Sequence, residues 1–348
     1  MNRAAVLIGV NKVKGRNQSL PMLNDAVRGA QAMRDWALDQ GFDQALVKCF
    51  VDDNGPVRIA QIQDAVGELL DPMAGVGQLL IYFAGHGINL CGTERWLLSK
   101  ALDNAAEAVD LETSALHARQ GSVPHVVFIS DACRTAAAGI AQQNIVGASI
   151  FPVPLGSGTA KAVDRFYACA LGDPSHEVSV PVGGDARFAF RALYTDALLP
   201  LLRGEAPDIV EAVADGLSPA GVIRPWPLQD ELEKTFAREL AGLKLTTPLS
   251  QTPDAIIMSR PGRTWIARVD PDGPVPVFRG TDSVLSARPA APPPAPTLRG
   301  WVDDALGRAL GQQAGPTEGD AAGAMLVKPG PEPSPGMSWR TGPPADDA

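Results

Sequence analysis

The chain has 348 residues, which suggests about two domains of ordinary size or one domain with an extension. Hydrophobic residues make up 45% and charged residues 20%, so a sizeable core can form and a wholly disordered chain is excluded. Lys and Arg total 30 against 39 Asp and Glu, a formal net charge of -9 that disfavours nucleic acid and anionic membranes as partners. The four cysteines form no CxxC pair, which favours free thiols and a cytoplasmic location.

Strands and helices alternate through the first two thirds of the chain. The apolar pattern predicts strands at 4–10, 45–51, 78–84, 123–130 and 165–170, and helices at 22–40, 56–70, 111–119 and 188–202. Strands that alternate with helices are typical of βαβ units. We therefore predict an α/β fold with a mostly parallel central sheet and helices on both faces.

Proline content changes near residue 268, since fifteen of the 31 prolines lie in the last 80 residues. Such a segment buries too little apolar surface to fold by itself. We predict a largely disordered, Pro-rich C-terminal tail over 269–348. Within it, apolar spacing favours one short helix at 297–310, which either docks on the body or binds a regulatory protein partner.

Two candidate catalytic residues follow predicted strands. His86 lies between two glycines after the strand at 78–84, and Cys133 follows the strand at 123–130. We expect them to meet, because the carboxyl ends of parallel strands share one edge of a sheet. A cysteine thiolate attacks carbonyl carbon, and an imidazole exchanges the proton. The backbone N–H groups of Gly87 and Cys133 are candidates for an oxyanion hole.

The motifs around both residues resemble those of a known family. YFAGHG at 82–87 resembles the histidine motif of the caspase-like cysteine peptidases (peptidase family C14), and DACR at 131–134 resembles their nucleophile motif. The likeness covers about residues 4–205. Asp131, two residues before Cys133, and Asp25, in an NDA motif, make the chain resemble the metacaspases and the related prokaryotic orthocaspases more than true caspases.

The resemblance implies a caspase-like fold and an outline of the domains. The peptidase domain would span 1–268 and precede the tail. It would comprise a large-subunit-like part at 1–140, a linker loop at 141–163 and a small-subunit-like part at 164–268.

The resemblance also implies polypeptide substrates with Arg or Lys at P1, held in the S1 pocket by Asp25 and Asp131. Paired carboxylates suit a guanidinium. The residues alone leave other interpretations open, since Asp131 could cap a following helix and Asp25 could be a first-turn helix acid. Ala84 stands where many metacaspases have a Ser that contributes to S1.

The function implied is a cysteine endopeptidase with a Cys133–His86 dyad, in a stress, cell-death or defence pathway. We expect no required cofactor and no metal site. Calcium activation, which is common among metacaspases, stays an open alternative, but their acidic calcium ligands cannot be placed on this sequence. Two rival hypotheses stay open. One is a catalytically silent caspase-like scaffold that binds partners through its tail, and the other is a caspase-like protease of different P1 specificity.

Overall fold

A computed structural model describes residues 2–154, 159–181, 188–214, 219–242 and 251–269. Apart from residue 269, the predicted tail with its helix at 297–310 lies outside the described residues. Among the described helices, none combines the length and the apolar character needed to cross a membrane.

Up to residue 85, strands and helices alternate in the order that the sequence predicts. The strands of the described residues are β1 (Asn2–Gly9), β2 (Val47–Val51), β3 (Val76–Gly85), β4 (Gly87–Leu90), β5 (Thr93–Leu97), β6 (Ala108–Asp110), β7 (His125–Ala132), β8 (Ala162–Tyr167), β9 (Glu177–Pro181), β10 (Phe188–Ala192), β11 (Val210–Ala214), β12 (Pro219–Ile223), β13 (Asp254–Ile256) and β14 (Ala267–Val269). The α-helices are α1 (Ala26–Asp39), α2 (Ile59–Leu69), α3 (Leu111–Gln120), α4 (Ile140–Gln143), α5 (Leu193–Leu202) and α6 (Pro225–Gly242).

The central sheet confirms the predicted α/β architecture. Its six strands lie in the order β13-β8-β7-β3-β1-β2, and all are parallel except β13. Every residue of β7 is buried, as expected for a central strand covered on both faces. One apolar cluster includes residues of α2 and α3, and a second includes residues of α1, α5 and α6.

Helix α1 packs closely on β1, which fixes the position of the loop before α1. Small and apolar side chains of α1, among them Ala26, Ala30 and Met33, face the sheet. A Cβ on Gly9 would lie 2.6 Å from the carbonyl oxygen of Ala26, so glycine is needed at this contact. The start of α1, with Asp25 before it, therefore lies at the carboxyl end of β1.

The structure corrects several predicted boundaries. The helix predicted over 188–202 is wrong at its start, because Phe188–Ala192 pairs with β9 as an antiparallel strand and α5 begins at Leu193. The helix predicted from residue 22 begins at Ala26, since the preceding residues form a loop. The sequence analysis also missed the sheet formed by β4, β5 and β6 and the elements after residue 206.

Candidate active site

The register of the central sheet brings the two candidate catalytic residues together. In the β3–β7 ladder, the last residue of β3 pairs with the last residue of β7, Gly85 with Ala132. His86 directly follows β3, and Cys133 directly follows β7. They therefore leave the same edge of the sheet side by side, at its carboxyl end.

Gly87 permits an unusually close approach of the two segments. A Cβ at this position would lie 2.4 Å from the carbonyl oxygen of Cys133 and 2.9 Å from the Cβ of Ala132. Real Cβ atoms do not come so near to backbone oxygen, so any larger residue would force the strand ends apart. The second glycine of the GHG motif is thus a requirement of this packing.

The N–H group of Gly87 points away from β5. The carbonyl oxygen of His86 accepts a hydrogen bond of 2.9 Å from β5, so His86 occupies a hydrogen-bonded position of that antiparallel ladder. Hydrogen-bonded and open positions alternate, which turns the N–H of Gly87 away from β5. Asn89, two residues further along the same edge, donates its N–H to Thr135 at 2.8 Å. The N–H of Gly87 therefore faces the chain near Cys133.

The imidazole of His86 is oriented by a backbone carbonyl. Its Nε2 lies 2.7 Å from the carbonyl oxygen of Pro21. A carbonyl only accepts, so Nε2 carries the proton and Nδ1 keeps a lone pair in the neutral ring. Burial lowers the pKa of His86, although the contact with Pro21 acts in the opposite direction. The ring is thus in the form that a general base needs.

The thiol of Cys133 is held by Ser175. Its Sγ donates to the carbonyl oxygen of Ser175 at 3.4 Å and accepts the N–H of Ser175 at 3.3 Å. Burial raises the pKa of Cys133 to about 11, and the nearby charges of Asp131 and Glu94 add to this effect. Among the described hydrogen bonds, none joins Cys133 to His86. At neutral pH Cys133 is therefore a thiol and His86 a neutral imidazole.

Asp131 lies in β7 and is 7% exposed. Its two carboxylate oxygens accept hydrogen bonds from the hydroxyl groups of Ser175, at 3.0 Å, and Thr195, at 2.6 Å. Burial raises the pKa of Asp131 to about 6, and the charge of Asp25 contributes. The helix-cap interpretation is wrong, because the next helix, α4, begins only at Ile140.

Asp25 occupies the N-cap position of α1 but makes no side-chain cap hydrogen bond. Its two oxygens instead accept hydrogen bonds from Nε and, at 2.6 Å, from Nη2 of Arg28, and the carboxylate also accepts the N–H of Ala192. The Asp25 side chain is 3% exposed, whereas Arg28 is 48% exposed and also reaches Asp196 at 2.9 Å. The charge of Asp25 is therefore already balanced by an internal guanidinium.

Glu177 is a third carboxylate of the site that the sequence analysis missed. Its oxygens accept the backbone N–H groups of Asn24, at 3.0 Å, and Asp25, at 2.9 Å. Burial raises the pKa of Glu177 to about 7, and the charges of Asp25 and Asp131 raise it further. Glu177, Asp25 and Asp131 thus form one acidic cluster near Cys133 and His86. Among the described residues, no group of His, Cys, Asp and Glu side chains is arranged to hold a metal ion.

Arg134 anchors the segment that follows Cys133. It forms ion pairs with Glu94, at 3.1 Å, and Asp254, at 2.8 Å, and its guanidinium lies 3.9 Å from the centre of the Tyr167 ring. Its backbone N–H donates to the carbonyl oxygen of Asp173 at 3.0 Å. Arg134 therefore ties the segment that follows Cys133 to β5, through Glu94, and to β13, through Asp254.

Comparison with known proteins identifies the family. The family model of the caspase domain, Peptidase_C14, matches residues 2–236. The chain belongs to the caspase-domain peptidases. This membership places it in a family of cysteine peptidases, as the two sequence motifs imply.

Solved structures with a similar fold include protein GSU0716 from Geobacter sulfurreducens, at 16% identity over 74% of this chain and 93% of that chain, with a TM-score of 0.43. The Drosophila initiator caspase Dronc is similar at 11% identity over 73% of this chain and 79% of its own, with a TM-score of 0.42. The pro-sf-caspase-1 structure is similar at 12% identity over 74% of this chain and 91% of its own, with a TM-score of 0.43. No curated protein sequence matches the chain.

Proposed function

We propose that this caspase-domain protein is a cysteine endopeptidase that uses a Cys133–His86 dyad and cleaves polypeptides after Arg or Lys. The observation that carries this proposal is the pairing of Gly85 with Ala132, which sets His86 beside Cys133 at the open edge of the sheet. The neutral His86 ring, with its proton on Nε2, supports a role as the base.

The reaction begins when the Cys133 thiol gives its proton to Nδ1 of His86 and its sulfur forms a bond with the scissile carbonyl carbon. The carbonyl oxygen becomes an oxyanion, which the N–H groups of Gly87 and Cys133 stabilise. The carbon–nitrogen bond then breaks, and His86 returns the proton to the leaving amine. Water, deprotonated by His86, then adds to the thioester carbon, the carbon–sulfur bond breaks to release the carboxylic acid, and His86 returns the proton to the sulfur of Cys133.

The acidic cluster supports the preference for a basic P1 side chain. Asp131 and Glu177 each carry a carboxylate whose ionised form is destabilised chiefly by burial. A bound guanidinium would favour ionisation through charge-assisted hydrogen bonds. An acidic P1 side chain would meet like charge instead. In the β3–β7 ladder Ala84 pairs with Asp131 and offers no hydroxyl group, so the carboxylates would provide the recognition.

A peptide-library cleavage assay tests the proposal, with and without calcium. We expect cleavage after Arg or Lys by the wild-type protein and none by Cys133→Ala. Cys91→Ala is the matched control, because Cys91 is exposed and lies outside the site. Cleavage that survives Cys133→Ala would refute the dyad, and cleavage after Asp would refute the specificity.

A silent scaffold is the second candidate function, and the thiol of Cys133 supports it. That thiol is bound by Ser175 rather than by His86. The same assay separates the two candidates, since a scaffold would leave every library peptide intact.

A further inference from the structure

The carboxylate of Asp131 receives one hydroxyl group on each of its two oxygens. Oδ2 accepts the Thr195 hydroxyl at 2.6 Å, and Oδ1 accepts the Ser175 hydroxyl at 3.0 Å. A hydroxyl group can donate to an ionised carboxylate or accept from a protonated one. The groups behind the two hydroxyls therefore decide which form of Asp131 the site favours.

A further donor lies behind each hydroxyl group. The Tyr82 hydroxyl is 2.6 Å from Oγ1 of Thr195, and Nε2 of Gln251 donates to Oγ of Ser175 at 3.3 Å. The single hydroxyl hydrogen of Thr195 goes to Asp131, so Tyr82 is the donor in its pair. An amide nitrogen has no acceptor to offer, so Gln251 also only donates to Ser175. Two chains of donors thus converge on one carboxylate.

These donors oppose the effect of burial on Asp131. Burial is the main cause that raises the pKa of Asp131 to about 6, whereas the hydrogen bonds from Thr195 and Ser175 lower it. Tyr82, Thr195 and Gln251 are themselves buried, so water does not compete for these contacts. A carboxylate has about four acceptor sites, so the two hydroxyl groups leave sites for a guanidinium. The chains therefore favour the ionised carboxylate without filling it.

Several other titratable groups interact with the charge of Asp131. They are Asp25, Glu177, Cys133, Tyr82 and Tyr194. Among the described residues, the hydroxyl of Thr195 hydrogen-bonds only with Tyr82 and Asp131. A change at this hydroxyl therefore acts on Asp131 and leaves the other charges in place.

We propose that Thr195, with Tyr82 behind it, is a positioning residue that keeps the Asp131 carboxylate ionised and oriented for a basic P1 side chain. Thr195 acts from the first turn of α5, and Tyr82 acts from β3. This inference rests on the S1 role of Asp131 proposed above. It adds a residue outside both motifs that controls specificity, and it gives a role to the first residue of YFAGHG, which the reaction steps do not use.

Thr195→Val tests the inference, because valine keeps the size and the backbone N–H of threonine but has no hydroxyl group. Carbon-13 NMR of the side-chain carboxyl groups follows ionisation in the full-length protein from about pH 4 to about pH 9. Asp131→Asn identifies the signal of Asp131. A hydrogen bond to a charged group corresponds to about one pKa unit or more. We expect the pKa of Asp131 to rise by about one unit in Thr195→Val and to stay near the wild-type value in Thr195→Ser.

Tyr82→Phe is the second variant, and it leaves the Thr195 hydroxyl in place without its donor. The pKa of Asp131 should rise here too, but by less than in Thr195→Val. Tyr194→Phe is the matched control, because Tyr194 is also fully buried near Asp131, and its hydroxyl has no hydrogen-bond partner among the described residues. It should leave the titration of Asp131 unchanged.

Cleavage of one Arg-P1 peptide as a function of pH then measures P1 recognition. With the pKa of Asp131 raised by about one unit, its ionised fraction falls about fivefold at pH 6 and about twofold at pH 7. We expect kcat/KM of Thr195→Val to fall by these factors and to approach the wild-type value at about pH 9. His86 and Glu177 titrate in every variant, so the comparison with wild type and Thr195→Ser removes their contribution.

Two results would overturn the positioning role. The first is an unchanged pKa of Asp131 in Thr195→Val, or in Tyr82→Phe where Thr195→Val does not fold. The second is a loss of kcat/KM that is equal at every pH, as a merely structural role would produce. A wild type that cleaves no Arg-P1 peptide would instead refute the proposed function, whereas the NMR titration would still show whether Thr195 controls the carboxylate. The two failures are therefore distinguishable.

Discussion

Ionisation of Asp131 should make the folded protein less stable as the pH rises. Burial is the main cause that raises its pKa from 3.8 to about 6, so the folded state favours the protonated carboxyl. The stability that this group contributes is fully present below the unfolded pKa and is lost as the pH rises through about 6. A shift of about two pKa units corresponds to about 3 kcal/mol.

Asp131→Asn removes this titration but keeps the size of the side chain. We expect its unfolding free energy to fall less between pH 4 and pH 8 than that of the wild type, by up to about 3 kcal/mol. Urea unfolding at a series of pH values measures the difference. The comparison uses slopes because the amide also changes the hydrogen bonds with Ser175 and Thr195.

An exposed carboxylate provides the control for that measurement. Asp53 lies outside the acidic cluster, so Asp53→Asn should show the same pH dependence of the unfolding free energy as the wild type. Parallel curves for Asp131→Asn and the wild type would refute the reasoning, since they would mean that Asp131 is not destabilised by its burial.

Three further substitutions test the packing and charge of the fold. Gly87→Ala should lower the unfolding free energy by about 1–3 kcal/mol and remove most of the peptidase activity, because the added Cβ would lie 2.4 Å from a backbone oxygen. Gly139→Ala is the control, since a Cβ there has no neighbour within 4 Å, and it should change neither unfolding nor cleavage. Asp164→Ala should cost about 3 kcal/mol in urea unfolding, because the fully buried carboxylate accepts from His125 and two backbone N–H groups. Arg28→Gln should lower KM for a basic-P1 peptide by up to about tenfold, since it leaves the charge of Asp25 unbalanced, and an unchanged KM would place that charge outside the pocket.

The central strands could be predicted because burial on both faces leaves a continuous apolar run in the sequence. Such runs identified β1, β3 and β7, and the residues after the last two identified His86 and Cys133. The start of α1 was not predictable in this way. The carbonyl oxygen of Pro21 and the N–H groups before α1 bind distant residues instead of continuing a helix.

The rest of the site depends on contacts between segments that are far apart in the chain. Ser175 meets Cys133 across 42 residues, and Glu177 meets Asn24 across 153. No local spacing reports such contacts. Pro21 acts through its backbone carbonyl, which any residue type could supply, so its role has no signature in the sequence. The motifs therefore locate His86 and Cys133, the proposed reacting groups, whereas the residues that orient them can be found only from the fold.

The same geometry bears on self-cleavage in the loop after the nucleophile. Between Arg134 and Arg165 the only basic residue is Lys161. Its N–H donates to the carbonyl oxygen of Arg119 at 2.8 Å, and β8 begins at the next residue, Ala162. A peptidase needs an extended, accessible segment, so cleavage after Lys161 would require the start of β8 to open.

We therefore expect the chain to stay uncut in this loop during incubation of the purified protein. Intact-mass analysis of the wild type and Cys133→Ala checks the result over time. A fragment that ends at Lys161 in the wild type and is missing from Cys133→Ala would contradict it, and would mean that the paired backbone at the start of β8 opens readily. Tail fragments that end at Arg299, Arg308 or Arg340 are compatible with an intact loop, since these arginines lie far beyond it.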